Sequence, residues 1–273
     1  MSRNVLLAAL ITGMIAGHAS GHEVWIEPQA WTVTEGDTLK SSVRNGDDFS
    51  GFDLSWNANS VVRAEIWADG EMAAIDGRLG DRPALQTRIP SDGLVTLLYQ
   101  STHRNIVYET FEKFASFVTG TGYEAVIDQH TARGLPEAPI KEAYLRYAKA
   151  LVASGSGDGS DAPRGLELEL VALDNPYTMA PTDQMNVQLL YNEAPMAGNQ
   201  VTVFRRAVDG SVDTLVMQSD DAGQVAFPIT PGTTYLVDSV VVREPSRALV
   251  AASRGAVWES LWTSLTFRTP ANQ

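Results

Sequence analysis

Residues 199–242 read NQVTVFRRAVDGSVDTLVMQSDDAGQVAFPITPGTTYLVDSVVV, and this stretch decides the class of fold. Within it NQVTVFRRA, DTLVMQS, GQVAFPI and TTYLVDSVVV are short runs rich in Val, Thr, Phe and Tyr, the side chains that suit a pleated, half-buried surface. Asp221-Ala222-Gly223 supplies a turn between two of them. Turns that recur roughly every 8 to 12 residues, with no helical period, predict an immunoglobulin-like sandwich. The same texture extends to LELELVAL (166–173), QMNVQLLYN (184–192) and LWTSLTFRT (261–269).

Toward the amino terminus the pattern returns in VWIEP (24–28), WTVTEGDTLKSSVR (31–44), VVRAEIWADGE (61–71) and GLVTLLYQS (93–101). Asp69-Gly70 reads as a hairpin turn, and Asn45-Gly46-Asp47-Asp48 as another. Trp25, Trp31, Trp56 and Trp67 fit core positions of these strands. Between the two β-rich halves the period changes. Phe111, Phe114 and Val118 are spaced by three and four, as are Ile140, Tyr144, Tyr147, Ala148 and Leu151, which predicts two amphipathic helices. Pro139 suits the first turn of the second helix, and Glu142 with Arg146 would pair across one turn of its exposed side. Helical spacing also places Tyr144 and Tyr147 inside, with Arg146 and Lys149 in solvent.

The stretch ASGSGDGSDAPRG (153–165) holds Gly, Ser and Asp with nothing to bury, so it reads as a linker. The expected organisation is a signal segment over 1–21, an N-terminal β-domain with two helices over 22–153, a linker over 154–165 and a C-terminal immunoglobulin-like sandwich over 166–273. The fold class is therefore mainly β, two β-sandwich domains with a short helical insertion between them.

A charged start at Arg3, an apolar run from Val5 to Ile15 and small residues from Ala16 to Gly21 have the order of a secretory signal peptide. The run is well short of the roughly 20 apolar residues a membrane-crossing helix needs. This predicts export to the periplasm and a processed chain free in solution. With 20 Lys+Arg against 33 Asp+Glu the net charge is −13, which disfavours nucleic acid and anionic membranes as partners. The absence of cysteine excludes disulfides and thiolate metal sites, so any metal must be held by nitrogen or oxygen.

Several segments together resemble the NikM-like family, the periplasmic component of cobalt and nickel uptake systems. They are His22-Glu23-Val24-Trp25-Ile26-Glu27-Pro28, the run from Lys141 to Leu151, Leu166 to Glu169, Asn175-Pro176-Tyr177, the Leu190 to Gly198 region, and Trp258 to Phe267. They follow the family's order over nearly the whole chain. The resemblance implies two β-domains, a periplasmic metal-related role and a membrane transport partner.

Signal processing after Gly21 makes His22 the new first residue, whose amine and imidazole can chelate one metal. Processing after Ala19 makes His22 the third, where imidazole, amine and two backbone amides form a planar set suited to Cu(II) or Ni(II). His103, in a loop past a strand, is the expected further ligand. His130, in the loop between the two helices, is the third candidate. Glu23, Glu27, Asp47 and Asp48 can add oxygen donors. No nucleophile elbow, phosphate loop or HExxH helix occurs, so no enzyme is expected. The function read from the sequence is capture of a divalent transition metal, Ni, Co or Cu, and its delivery to a membrane transport partner. The alternatives are a non-catalytic adhesion or assembly module and a histidine-brace copper oxygenase.

Overall fold

The computed structural model describes residues 22–180 and 184–271. The signal segment over 1–21, with both of its processing positions, lies outside them. The first strands are β1 (Glu23–Pro28), β2 (Thr32–Val33), β3 (Thr38–Asp47), β4 (Ser50–Leu54), β5 (Val61–Ala68) and β6 (Glu71–Ala74). Next come β7 (Leu85–Arg88), β8 (Gly93–Ser101), β9 (Arg104–Tyr108), the helices α1 (Phe111–Gly120) and α2 (Ala125–Ala132), and β10 (Ile140–Ser154). The remainder is β11 (Leu168–Ala172), β12 (Gln184–Tyr191), β13 (Ala194–Pro195), β14 (Gln200–Arg206), β15 (Val212–Gln218), β16 (Gln224–Pro228), β17 (Thr234–Arg243), α3 (Arg247–Ser253) and β18 (Trp258–Arg268).

The fold is mainly β and built as β-sandwiches, and the sheet order shows how. One 10-stranded sheet runs β15-β14-β17-β18-β10-β8-β5-β6, with β2 and β9 also paired to β10. A sheet of β1, β3, β4 and β7 covers one face, burying Ile26, Val43 and Leu85 against Ile66, Leu97 and Val152. A sheet of β11, β12, β13 and β16 covers the other, burying Leu170, Val187 and Phe227 against Leu151, Val237 and Leu265. The two sandwiches share the large sheet. Beside the first outer sheet, α1 and α2 pack Phe114, Phe117 and Val126 onto Val240, Trp258 and Trp262.

Most turn readings survive contact with the structure. Asp69 and Gly70 both have positive φ, 49° and 76°, between paired β5 and β6, as a tight hairpin requires. Gly223 has φ 72° and donates to the Asp220 carbonyl, closing the turn before β16. The Asn45–Asp48 turn comes slightly later than expected. Asn45, Gly46 and Asp47 belong to β3, and the chain reverses at Asp48 and Phe49, both left-handed. Trp25 and Trp56 are buried, whereas Trp31 and Trp67 are only partly so.

The second predicted helix is a strand. Residues 140–154 form β10, parallel to β18 from Glu142 opposite Trp258 to Ala150 opposite Thr266. A strand covered on both faces carries apolar residues on both and loses its alternation. Its residues four apart then lie on one face of a strand as they would on a helix. Ile140, Tyr144 and Ala148 accordingly face α1, α2 and the first outer sheet, while Tyr147 and Leu151 face the second. Glu142 and Lys149, placed in solvent by the helical reading, are each 1% exposed.

The stretch read as a linker is tied down on several sides. Asp161 is buried against Lys149, and Asn175 donates to the carbonyls of Gly157 and Gly159. Strands from both sides of this stretch also belong to the 10-stranded sheet, so it is not the sole connection between the halves.

Candidate functional site

The three candidate histidines have three separate sets of partners. His22 stands just before β1, where the β1–β3 register sets it against Asp47, and its Nδ1 lies 2.9 Å from Asp47 Oδ2. His103 occupies the short loop between β8 and β9, as expected, with Nε2 3.1 Å from Glu259 Oε1. His130 is not in a loop. It lies in α2, 1% exposed, where Trp258 Nε1 donates to its Nδ1 at 3.0 Å, so Nε2 carries the proton and donates to the Pro136 carbonyl, also at 3.0 Å. Both ring nitrogens are used, which corrects its assignment as a metal ligand: it is a packing residue between Phe111, Phe114 and Trp258. Among the described residues no three His, Asp or Glu side chains are arranged to hold a metal.

Two hollows open between the first outer sheet and the large sheet, the smaller also bounded by α1. The smaller, about 380 Å³, is lined by Glu23, Asp47, Asp48, Phe117, Asp238 and Trp262 among others. Alternation along β1 puts Glu23 on the face of Trp25, which packs against Phe49, Phe204 and Leu236. Asp238 likewise shares a face of β17 with Leu236 and Val240. Glu23 is 7% exposed, and its Oε2 is buried without a hydrogen-bond partner among the described residues. Burial, reinforced by Asp238, Asp47 and Asp48, pushes its carboxyl up to about 9. Burial also lifts Asp238 to about 7, with Arg146 opposing the shift. Glu27, named as an oxygen donor, is instead held by Arg206 at 2.5 Å and Arg44 at 3.1 Å.

The larger hollow, about 760 Å³, contains Tyr144 and Arg146 of β10, His103 and Arg104 beyond β8, Arg82, and Phe52 of β4. Arg146 is the hinge between the two: it lines the larger hollow, and its charge acts on Asp238 and Glu23 of the smaller. It stacks on Tyr144 and Trp262, at 4.8 and 5.4 Å from the ring centroids, and donates to Asn45 Oδ1 at 2.6 Å. Sequence reasoning missed Asp238, Arg82, Arg104 and the true setting of Arg146. A signal existed for two of them. Asp238 interrupts the apolar TYLVDSVVV and Arg146 interrupts AYLRYAKALVA, and a charge inside a strand buried on both faces must face a partner or a cavity.

A family model described as a domain of unknown function, DUF4198, matches residues 19–243. The chain belongs to this family. The match spans β1 to β17, so it covers all of the residues lining the larger hollow and all but Trp262 of those lining the smaller. No curated protein matches the sequence. Among solved structures, a tetra-tandem repeat in the extending region of a large adhesion protein aligns with 90% of this DUF4198 chain at 10% identity. The alignment covers 49% of that chain, so the present one spans about half its length, and the TM-score is 0.21.

Proposed function

We propose that this DUF4198 chain is a periplasmic accessory protein that captures a transition metal, Cu, Ni or Co, at His22 and passes it to a membrane transport partner. The observation that carries this reading is the His22–Asp47 contact. A carboxylate that accepts the Nδ1 proton fixes the tautomer and leaves the Nε2 lone pair pointing away, the arrangement that supports metal-bound imidazoles. The imidazole is about half exposed, with 55% of its side-chain surface accessible, so an ion can reach it. Asp47 and Asp48 alongside attract cations. With no second histidine in contact with His22 among the described residues, the further donors are the free amine and, where processing leaves residues before His22, their backbone amides, and this set favours Cu(II) or Ni(II). The periplasmic location and the transport partner rest on the signal-like start and the NikM-like resemblance. Among the described residues no helix is long and apolar enough to cross a membrane. The role is binding rather than catalysis.

Titration calorimetry of the exported, processed protein with Cu(II) and Ni(II) tests this. One ion per chain is expected, with tight binding lost in His22→Ala and weakened about 10- to 100-fold in Asp47→Asn. Imidazole and amine bind only when deprotonated, so affinity should fall as the solution is acidified. Unchanged binding in His22→Ala, or after one residue is added before the processed terminus, would remove the basis for the reading.

A further inference from the structure

The larger hollow carries positive charge in a protein whose net charge is −13. Three arginines reach it, and none has a carboxylate in ion-pair contact among the described residues. Arg104 donates to the Ser60 hydroxyl, Arg146 donates to the Asn45 side-chain oxygen, and Arg82 has no side-chain partner. The Nε of Arg146 is buried with no acceptor for its proton among the described residues. Elsewhere several arginines on strands are paired with acids, Arg44 with Glu27, Arg63 with Glu65, Arg205 with Asp213 and Arg243 with Glu259, whereas Arg268 donates to the Gly232 carbonyl. The one carboxylate lining the hollow among the described residues, Asp53, already accepts from Ser42 and lies 3.4 Å from Arg44.

Three guanidinium groups lining one cavity make it attractive to an anion. Their planar forks match carboxylates two bonds at a time. A single inorganic oxyanion would leave most of a cavity of about 760 Å³ empty, whereas that volume falls within the range usual for small-molecule sites. Phe52, 59% exposed at the rim, and Tyr144 add apolar walls suited to a carbon skeleton. We propose that this hollow binds a small organic polycarboxylate. The site is complete without His22, and its occupation is independent of metal capture.

Citrate is a suitable probe, titrated calorimetrically into metal-free protein. One citrate per chain is expected. Arg82 and Arg104 are exposed, so the double variant Arg82→Gln/Arg104→Gln should keep its far-ultraviolet circular dichroism while binding citrate about tenfold or more weakly. His22→Ala should bind citrate as the parent does, which keeps this result separate from the metal titration. The proposal is overturned by absence of saturable citrate binding, by undiminished binding in the arginine double variant, or by loss of binding in His22→Ala. Inorganic phosphate competing on equal terms with citrate would overturn the polycarboxylate class.

Discussion

Lys149→Ala is expected to lower the unfolding free energy by about 3–5 kcal/mol, the cost of stranding buried charge. Lys149 Nζ sits 2.8 Å from Asp161 Oδ2 and 3.1 Å from Glu169 Oε1, and the three side chains are 1%, 0% and 2% exposed. The ammonium also donates to the carbonyls of Leu170 and Ala162. Glu169 accepts from the amides of Arg164 and Leu166, and Asp161 from that of Ala172. These amide bonds would remain in the variant, but no cation would face the two carboxylates. The triple change Lys149→Met/Asp161→Asn/Glu169→Gln should recover most of the loss, because a cluster without net charge has a far smaller desolvation cost. Urea unfolding measures both. A loss below about 1 kcal/mol for Lys149→Ala would show that water reaches the cluster and screens it. Because the trio joins β10, the 153–165 stretch and β11, its removal should loosen the second sandwich first.

The protein should be markedly more stable at mildly acidic than at mildly alkaline pH. Glu142 is pushed up to about 7 by burial, although the hydroxyls of Ser260 and Tyr108 donate to it and Arg146 lies on its face. Asp238 is raised to about 7 as well. Between the ordinary carboxyl range and about 7 the folded chain holds these protons and the unfolded chain releases them, so stability falls as pH rises through that window. Glu23, raised to about 9, extends the decline upward. The opposite slope appears in acid. Burial would raise Glu27, Glu65 and Glu259, but Arg206, Arg63, and His103 with Arg243 outweigh it and hold them low. Their stabilisation is present above the unfolded carboxyl range and is lost as pH falls through it. Melting temperature should therefore peak near the ordinary carboxyl range, at roughly pH 4 to 5. Glu142→Gln should remove a share of the alkaline decline on the order of 3 kcal/mol. A parent protein equally stable on both sides of neutrality would show that Glu142 and Asp238 are ionised in the fold.

The legible part of the candidate site was its one exposed edge. His22 was singled out because it follows a signal-like segment, and Asp47 because it sits in an acidic turn; both signals lie within a few residues. That the two face each other depends on the β1–β3 register, set by how Val24, Ile26 and Val43 are buried together. His130 carried no comparable signal. Its role comes from Trp258, whose indole reaches it only because β18 lies beside β10.

By itself the sequence determined where the chain alternates and turns: the half-buried strands such as β5, β14 and β16, the Asp69-Gly70 hairpin, the first helix with Phe114 and Val118 inward, and the β-sandwich class. These follow from local periodicity and turn chemistry, which need no knowledge of partners. Tertiary structure alone decided that 140–154 is a strand, that it pairs parallel with β18, and that both sandwiches share its sheet. The physical reason is that a strand enclosed on both faces has no solvent side to imprint alternation, so its four-residue spacings suit either a helix or a strand. Only the packed sheets then settle which of its charges are enclosed, and so place Lys149 between two acids and Arg146 at the meeting of the two hollows.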